Sequence, residues 1–322
     1  MTRRNAALLE WLAAEGLGEA VMEPVGGDAS ARRYWRLKTP SRTWMVMDAP
    51  DQAADCAAFL KVQALMQSAG LRVPEIYAAD TEAGFILLED LGREDYLAAF
   101  RQEGRGDLVR SALKALVQWQ AATRDAVLEA FDAERLAAEL ALFPDWYVER
   151  HLGWRPDAAW QRHWEAGIAV LIESAVSQPQ VWTHRDYMAR NLLVTEPGPG
   201  VIDFQDALCG PVTYDLVSLL RDAFFSFPAD EEAGYIQMWL EMAEATGLSL
   251  PADPQRAIDL MAAQRHLKVL GIFARLRYRD GKPHYLDDAP RFLGYLQGEL
   301  APYDELTELR DCIARLPKAG AL

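Results

Sequence analysis

The alternation of apolar and polar residues changes character partway along this 322-residue chain. Residues 4–17 place apolar side chains at helical spacing and predict an opening helix that stops near Gly18. VMEPVGGDASARRYWRL then reads as strand, glycine turn, strand, and TWMVMDAP over 43–50 as a third strand closed by Pro50. A helix is expected over 52–69, ended by Gly70. Two further strands follow, within VPEIYAAD at 74–81 and GFILLEDLG at 84–92. The pattern up to there predicts a small, mostly antiparallel sheet with one inserted helix.

Past Gly92, Ala, Leu, Glu and Arg dominate and the apolar period becomes helical. Helices are expected over 107–123 and 133–152. VWTH and NLLVTEPGPGVIDF read as strands, the latter as a hairpin turning at Pro197–Gly200. Helices should then cover 214–225, 229–246, 254–279, 287–298 and 303–316. The outline is α+β: a sheet portion over 1–91 and a larger, mostly helical portion over 92–322.

Composition narrows the function classes. The net charge of −15 disfavours a nucleic-acid partner, which calls for a basic patch. Cys56, Cys209 and Cys312 lie far apart without a CxxC pair, against a cysteine zinc site or a disulfide framework. No apolar run approaches the ~20 residues that cross a bilayer. MTRRNAALLEWLAAEGL lacks the apolar core of a signal peptide. The expectation is a cytoplasmic monomer without a membrane or nucleic-acid partner.

Candidate chemistry concentrates in HRDYMARN, residues 184–191, and in the VIDF that ends at Phe204. Asp186, in a loop, can orient a hydroxyl and accept its proton. Asn191 and Asp203 offer hard oxygen ligands suited to Mg²⁺, and a hairpin between them would fold them back to adjacent positions. Each feature alone is ordinary: an Asp-x4-Asn is usually a turn or cap, and an Asp after a strand is usually a helix N-cap. Together they supply the parts of phosphoryl transfer.

The order H-x-D-x4-N, apolar strand, I-D-F resembles the catalytic and metal-binding loops of the kinase fold. With the sheet portion, ILLEDLG and the later helices, the chain resembles the aminoglycoside phosphotransferase and choline kinase superfamily. That resemblance implies a protein-kinase-like bilobal fold, with nucleotide bound by 1–91 and catalysis and substrate binding in 92–322. It implies ATP and Mg²⁺ as cofactors. Asp186 would be the base, with His184 and Asp215 bracing its loop, Asp215 by hydrogen bonds to the loop backbone. Gly26, Gly27 and Ser30 would approach the phosphates, and the backbone from Glu89 to Leu91 would read the adenine edge. More narrowly, GGDASARRYWRL, MDAP, LLEDLG and HRDYMARNLL resemble bacterial anomeric kinases of cell-wall recycling, which phosphorylate the 1-hydroxyl of N-acetylmuramate or N-acetylglucosamine.

The pattern departs from the kinase fold on the third strand. Met45 or Met47 stands where a phosphate-gripping lysine is expected. A cation is still needed, and Arg32 and Arg33 are the nearest. Strand alternation sends them to opposite faces, and Arg32 is the candidate. Arg190 and Arg265, together with His266 and Arg275, are candidates for an acidic amino-sugar acceptor. The other account of QRHLKVLGIFARLRYR is a solvated basic helix face. Two further readings stay open: a kinase for choline, an amino alcohol or an aminoglycoside, and a nucleotide-binding regulator without catalysis.

Overall fold

The structure is a computed structural model that describes residues 3–26, 32–49, 53–102 and 104–317. It divides into two compact units, Met1–Ala115 with Arg190–Asp206, and Leu116–Ala189 with Ala207–Leu322.

In the first unit, α1 (Arg3–Ala14) precedes β1 (Val21–Val25), β2 (Arg33–Lys38) and β3 (Thr43–Asp48). Next come α2 (Ala53–Ser68), β4 (Ile76–Asp80) and β5 (Phe85–Glu89). The strands form one antiparallel sheet in the order β1-β2-β3-β5-β4. The register sets Trp35, Val46 and Leu87 in one row and Tyr34, Met47 and Ile86 in the next. Successive rows point to opposite faces. Leu8 and Leu12, one helical turn apart on α1, pack with Leu37, Val46, Phe85 and Leu87 on the first of these faces.

The remaining elements are α3 (Tyr96–Ala99), α4 (Arg105–Ala121), α5 (Ala133–Leu140), a π-helical stretch (Phe143–His151), α6 (Ala158–Val176) and β6 (Gln180–Thr183). They continue with β7 (Leu192–Leu193), β8 (Gly200–Val201), β9 (Leu208–Pro211), α7 (Tyr214–Leu220), α8 (Ala229–Thr246), α9 (Pro254–Asp280), α10 (Ala289–Leu300) and α11 (Thr307–Ala314). The texture of the sequence changes at 91/92, yet the first unit takes in residues up to 115 and the β7–β8 hairpin. Backbone bonds explain why: Val194 N–H donates to Glu94 O at 2.8 Å, and Val201 N–H to Arg72 O at 2.8 Å.

Two expected helices differ, and one strand was not expected. The helix over 133–152 breaks into α5 and the π-helical stretch, because Pro144 has no N–H to continue the ladder. The helix expected over 214–225 ends at Leu220, where Arg221 turns in to Glu232, Asp259 and Glu299. β9, at LCGP, pairs antiparallel with β6 and carries no strand pattern of its own. The buried helix α9 organises the second unit. Leu260, Ala263, Leu267, Leu270 and Ala274 share a core with Phe143, Tyr147, Trp160, Trp164, Phe292 and Leu296. At Gly271 an added Cβ would stand 2.5 Å from the Leu142 carbonyl carbon, so only glycine lets the two backbones approach.

Candidate active site

The loop after β6 is tied at both ends by buried aspartates. The His184 and Arg185 N–H groups donate to Asp215 Oδ2 and Oδ1 at 2.6 and 2.9 Å. At the far end, Ala189 N–H donates to Asp222 Oδ2 at 2.9 Å, and Phe224 N–H to Asp222 Oδ1 at 2.7 Å. Both carboxylates are almost fully removed from solvent, at 0% and 1% exposure. Between the ties, Arg185 adopts a left-handed backbone, φ 73°, a costly conformation for a non-glycine residue that the surroundings must hold. Asp186 N–H lies 3.2 Å from His184 Nδ1, its hydrogen-bond partner. Buried His184 thus orients the residue two places on.

Burial acts on both acids with opposite outcomes. It pushes the Asp215 carboxyl above the usual carboxylate range, and His184, the backbone donors and Arg265 counter it only in part. Burial also pushes Asp186 upward, but Lys268, Arg265, His184 and Arg185 outweigh it and hold Asp186 below its ordinary value. Asp186 is therefore ionised at neutral pH, the state a base requires.

The cations beside Asp186 are organised by Glu139 of α5. Lys268 Nζ lies 2.8 Å and Arg185 Nη2 2.5 Å from Glu139 Oε1, and Gln264 donates to Oε2 at 3.2 Å. Lys268 also donates to the Tyr214 hydroxyl at 3.0 Å. Arg265 donates to the Arg185 carbonyl at 3.1 Å and stacks 4.5 Å over the Tyr214 ring. This stretch of α9 is not a solvated basic face, because Arg265, His266 and Lys268 are all buried. His266 belongs to a separate network, with Nδ1 2.9 Å from Glu299 Oε2. Sequence reasoning missed Glu139 and Asp222. Glu139 is one acid among many on an amphipathic helix, but Asp222 follows Asp215 by seven residues, two helical turns, which was a usable signal.

The first unit carries the other candidates. Leu192 pairs with Val201, and Ile202 N–H donates to Asn191 O at 3.1 Å, so the hairpin folds Asn191 back beside Ile202 and one residue short of Asp203. Asp203 has a left-handed backbone, φ 63°. Arg32 Nη2 lies 3.7 Å from Asp203 Oδ1, and Gln205 Nε2 donates to the same oxygen at 3.0 Å. Arg33 points the other way: its Nη2 lies 2.5 Å from Oδ2 of fully buried Asp48, whose Oδ1 accepts from Arg4 Nε at 2.7 Å. Met47 is fully buried in the sheet.

At the end of β5, Glu89 receives Arg72 through two bonds of 2.7 and 2.5 Å, and the next residue, Asp90, receives Arg36 through two of 2.7 and 2.8 Å. Arg36 also donates to Gly92 O at 2.6 Å. The segment from Glu89 to Gly92 is thereby held in one conformation, with Leu91 buried inside it. Gly26 follows β1, whereas Gly27 and Ser30 lie outside the described residues. Arg190 sits half-buried in a 3₁₀ turn, Ala189–Asn191.

Among the described residues no three His, Cys, Asp or Glu side chains form a metal cluster. Mg²⁺ does not require one, since it takes one or two carboxylates and completes its shell with phosphates and water. Asp203 fits that use as a single carboxylate: Gln205 donates to its Oδ1 and Arg32 lies 3.7 Å from the same oxygen.

Residues 21–251 match the model of the phosphotransferase enzyme family. The N-acetylmuramate/N-acetylglucosamine kinase of Pseudomonas aeruginosa is 47% identical over 322 residues, covering 98% of this chain and 95% of that protein. The corresponding kinase of Neisseria meningitidis is 41% identical over 298 residues, covering 90% and 88%. The crystal structure of a choline kinase from Streptococcus pneumoniae superposes with a TM-score of 0.62 at 13% identity, over 94% of this chain and all (100%) of that one. An ADP-bound aminoglycoside phosphotransferase gives 0.64 at 12%, over 91% and 98%. These structural likenesses establish a kinase-like α+β fold. Fold, motif order and sequence identity agree: the chain belongs to the phosphotransferase enzyme family.

Proposed function

We propose that this protein transfers the γ-phosphoryl group of ATP to the anomeric hydroxyl of N-acetylmuramate and N-acetylglucosamine, a reaction of cell-wall recycling. Relatives of that name share 47% and 44% of their residues with it across nine-tenths of the chain or more. The observation that carries the acceptor class is the charge around Asp186. Arg185, Arg265 and Lys268 set positive charge beside Asp186, which suits an acceptor that carries a carboxylate rather than the cation of choline or an aminoglycoside.

Asp186 orients the sugar's 1-hydroxyl and takes its proton as the oxygen attacks phosphorus. Its loop is fixed before substrate arrives, so positioning costs little at the moment of reaction. Asn191 and Asp203 hold Mg²⁺, which when bound neutralises charge on the phosphates. Arg32 supplies the fixed cation that β3 lacks, and Arg190 and Arg265 face the acceptor's polar groups. The clamped backbone of Glu89–Leu91 reads the adenine.

The test is ADP release from ATP and Mg²⁺ with a panel of N-acetylmuramate, N-acetylglucosamine, choline and kanamycin. Release with the two amino sugars alone is expected. Release with choline or kanamycin instead would overturn the acceptor. Nucleotide-induced thermal stabilisation without release for any acceptor would make the protein a regulator.

A further inference from the structure

One buried side chain beside Asp203 has an unmet hydrogen-bonding capacity. Gln205 is 7% exposed. Its amide nitrogen donates to Asp203 Oδ1 at 3.0 Å and to Asp206 Oδ2 at 3.2 Å. These two carboxylates fix which end of the amide is nitrogen, because an oxygen there would repel both. The opposite end, Oε1, is buried and has no hydrogen-bond partner among the described residues. A buried acceptor left without a partner destabilises the fold, so its persistence calls for an explanation.

The neighbourhood supplies one. Gln205 donates to Oδ1 of Asp203, and Arg32 lies 3.7 Å from the same oxygen. The backbone at Asp203 is held in its left-handed conformation by what flanks it. Ile202 is bonded to Asn191, and the Phe204 ring packs against Phe59 of α2 with centroids 4.8 Å apart. A carboxylate held through one oxygen by a buried amide is arranged as a metal ligand whose outer partner sets its angle. Mg²⁺ keeps several of its waters when bound, and each such water must donate its hydrogens. The orphaned Oε1 is the acceptor such a water needs.

We propose that Gln205 is a positioning residue of the divalent-metal site: its amide nitrogen aims Asp203 and its carbonyl oxygen accepts a hydrogen bond from a metal-bound water. The assignment rests on the reading of Asn191 and Asp203 as the magnesium ligands. Gln205 touches neither nucleotide nor acceptor. It acts on the ion through Asp203 and through the ion's own hydration shell. Asp206, exposed and sharing the same amide, anchors Gln205 from the far side.

The test is Mn²⁺ binding to the full-length protein saturated with a non-hydrolysable ATP analogue, followed by the electron paramagnetic resonance signal of free Mn²⁺. Gln205→Met keeps the side-chain volume and removes both amide functions. The expected result is an affinity for Mn²⁺ about 10–100-fold weaker, the usual cost of losing a metal ligand's outer partner. Binding of metal-free ADP and the melting temperature without metal should stay close to those of the parent. Gln205→Asn withdraws the amide by one methylene and should give the same loss, which guards against a folding defect in the first variant. An Mn²⁺ affinity within about threefold of the parent in both variants overturns the proposal. Asp203→Ala separates the two levels. If it abolishes Mn²⁺ binding while Gln205→Met changes nothing, the role of Gln205 alone is wrong. If it too leaves Mn²⁺ binding intact, the metal ligands themselves are misassigned.

Discussion

Replacing Asp215 with Asn tests what holds the loop that carries Asp186. The carboxylate accepts from two consecutive backbone N–H groups, at 2.6 and 2.9 Å, with no exposure to water. Asn has the same shape but one acceptor oxygen, so one N–H is left facing an amide NH₂. A hydrogen bond to a charged acceptor contributes about 1.5–3 kcal/mol, and the stranded donor adds a penalty of about 1–3 kcal/mol. Against this, the variant no longer buries a charge. Asp215 resists ionisation in the folded state, so its raised folded pKa stabilises the protein below the unfolded pKa and that contribution is lost as pH rises through the folded value. The net loss expected at neutral pH is about 2–4 kcal/mol, with a loss of about 10²-fold in kcat because the left-handed turn at Arg185 is no longer fixed.

Urea denaturation of parent and Asp215→Asn between pH 5 and 8 reads the stability term, and steady-state kinetics reads kcat. The stability gap between the two proteins should narrow as pH rises, since only the parent then bears the cost of a buried charge. KM for ATP should hold steady. A gap that widens toward pH 8 would mean that the two N–H bonds outweigh burial, contrary to the sign argued here. An unchanged midpoint together with an unchanged kcat would refute the tie itself.

Other variants probe the surrounding assignments. Arg32→Met should raise KM for ATP about tenfold and leave acceptor KM alone, whereas Arg33→Met, whose partner is the buried Asp48, should instead lower stability by about 1 kcal/mol; nucleotide titrations and melting curves distinguish them. Lys268→Met removes the largest cationic influence on Asp186, so the Asp186 pKa should rise and turnover should fall on the acid side of the pH profile at a higher pH than in the parent. It should also cost about 3–5 kcal/mol of stability by leaving Glu139 short of a cation, a loss read by urea denaturation. Gly271→Ala forces a methyl to within 2.5 Å of Leu142 backbone and should lower the urea midpoint by an amount equivalent to about 1–3 kcal/mol.

The parts of the site that were legible in the sequence are those whose chemistry is tied to short spacing. Asp186 and Asn191 share one eight-residue stretch, and the turn residues of EPGPG announce the hairpin that folds Asn191 back toward Asp203. The strands of the first unit were equally readable, since Leu37, Val46, Phe85 and Leu87 lie on the one face that packs against α1. What escaped depends on pairings between distant segments. Glu139 meets Lys268 across more than a hundred positions, and neither residue differs in type from the exposed acids and bases around it. Burial alone distinguishes them, and burial of a charge becomes tolerable only once its partner is in place.

The two consecutive arginines show the same limit at its sharpest. Alternation dictates that Arg32 and Arg33 diverge, but not which of them meets Asp203. The register decides it: Arg33 stands opposite Asp48 across β2 and β3, and Asp48 is already committed to the face that α1 covers, where Arg4 reaches it. An acid at the end of β3, a strand that lacks the expected lysine, thus fixes the direction of its neighbours. With Arg33 held on that face, Arg32, the residue just before β2, is the one that meets Asp203, which is the ground on which we propose it for the cation missing from β3.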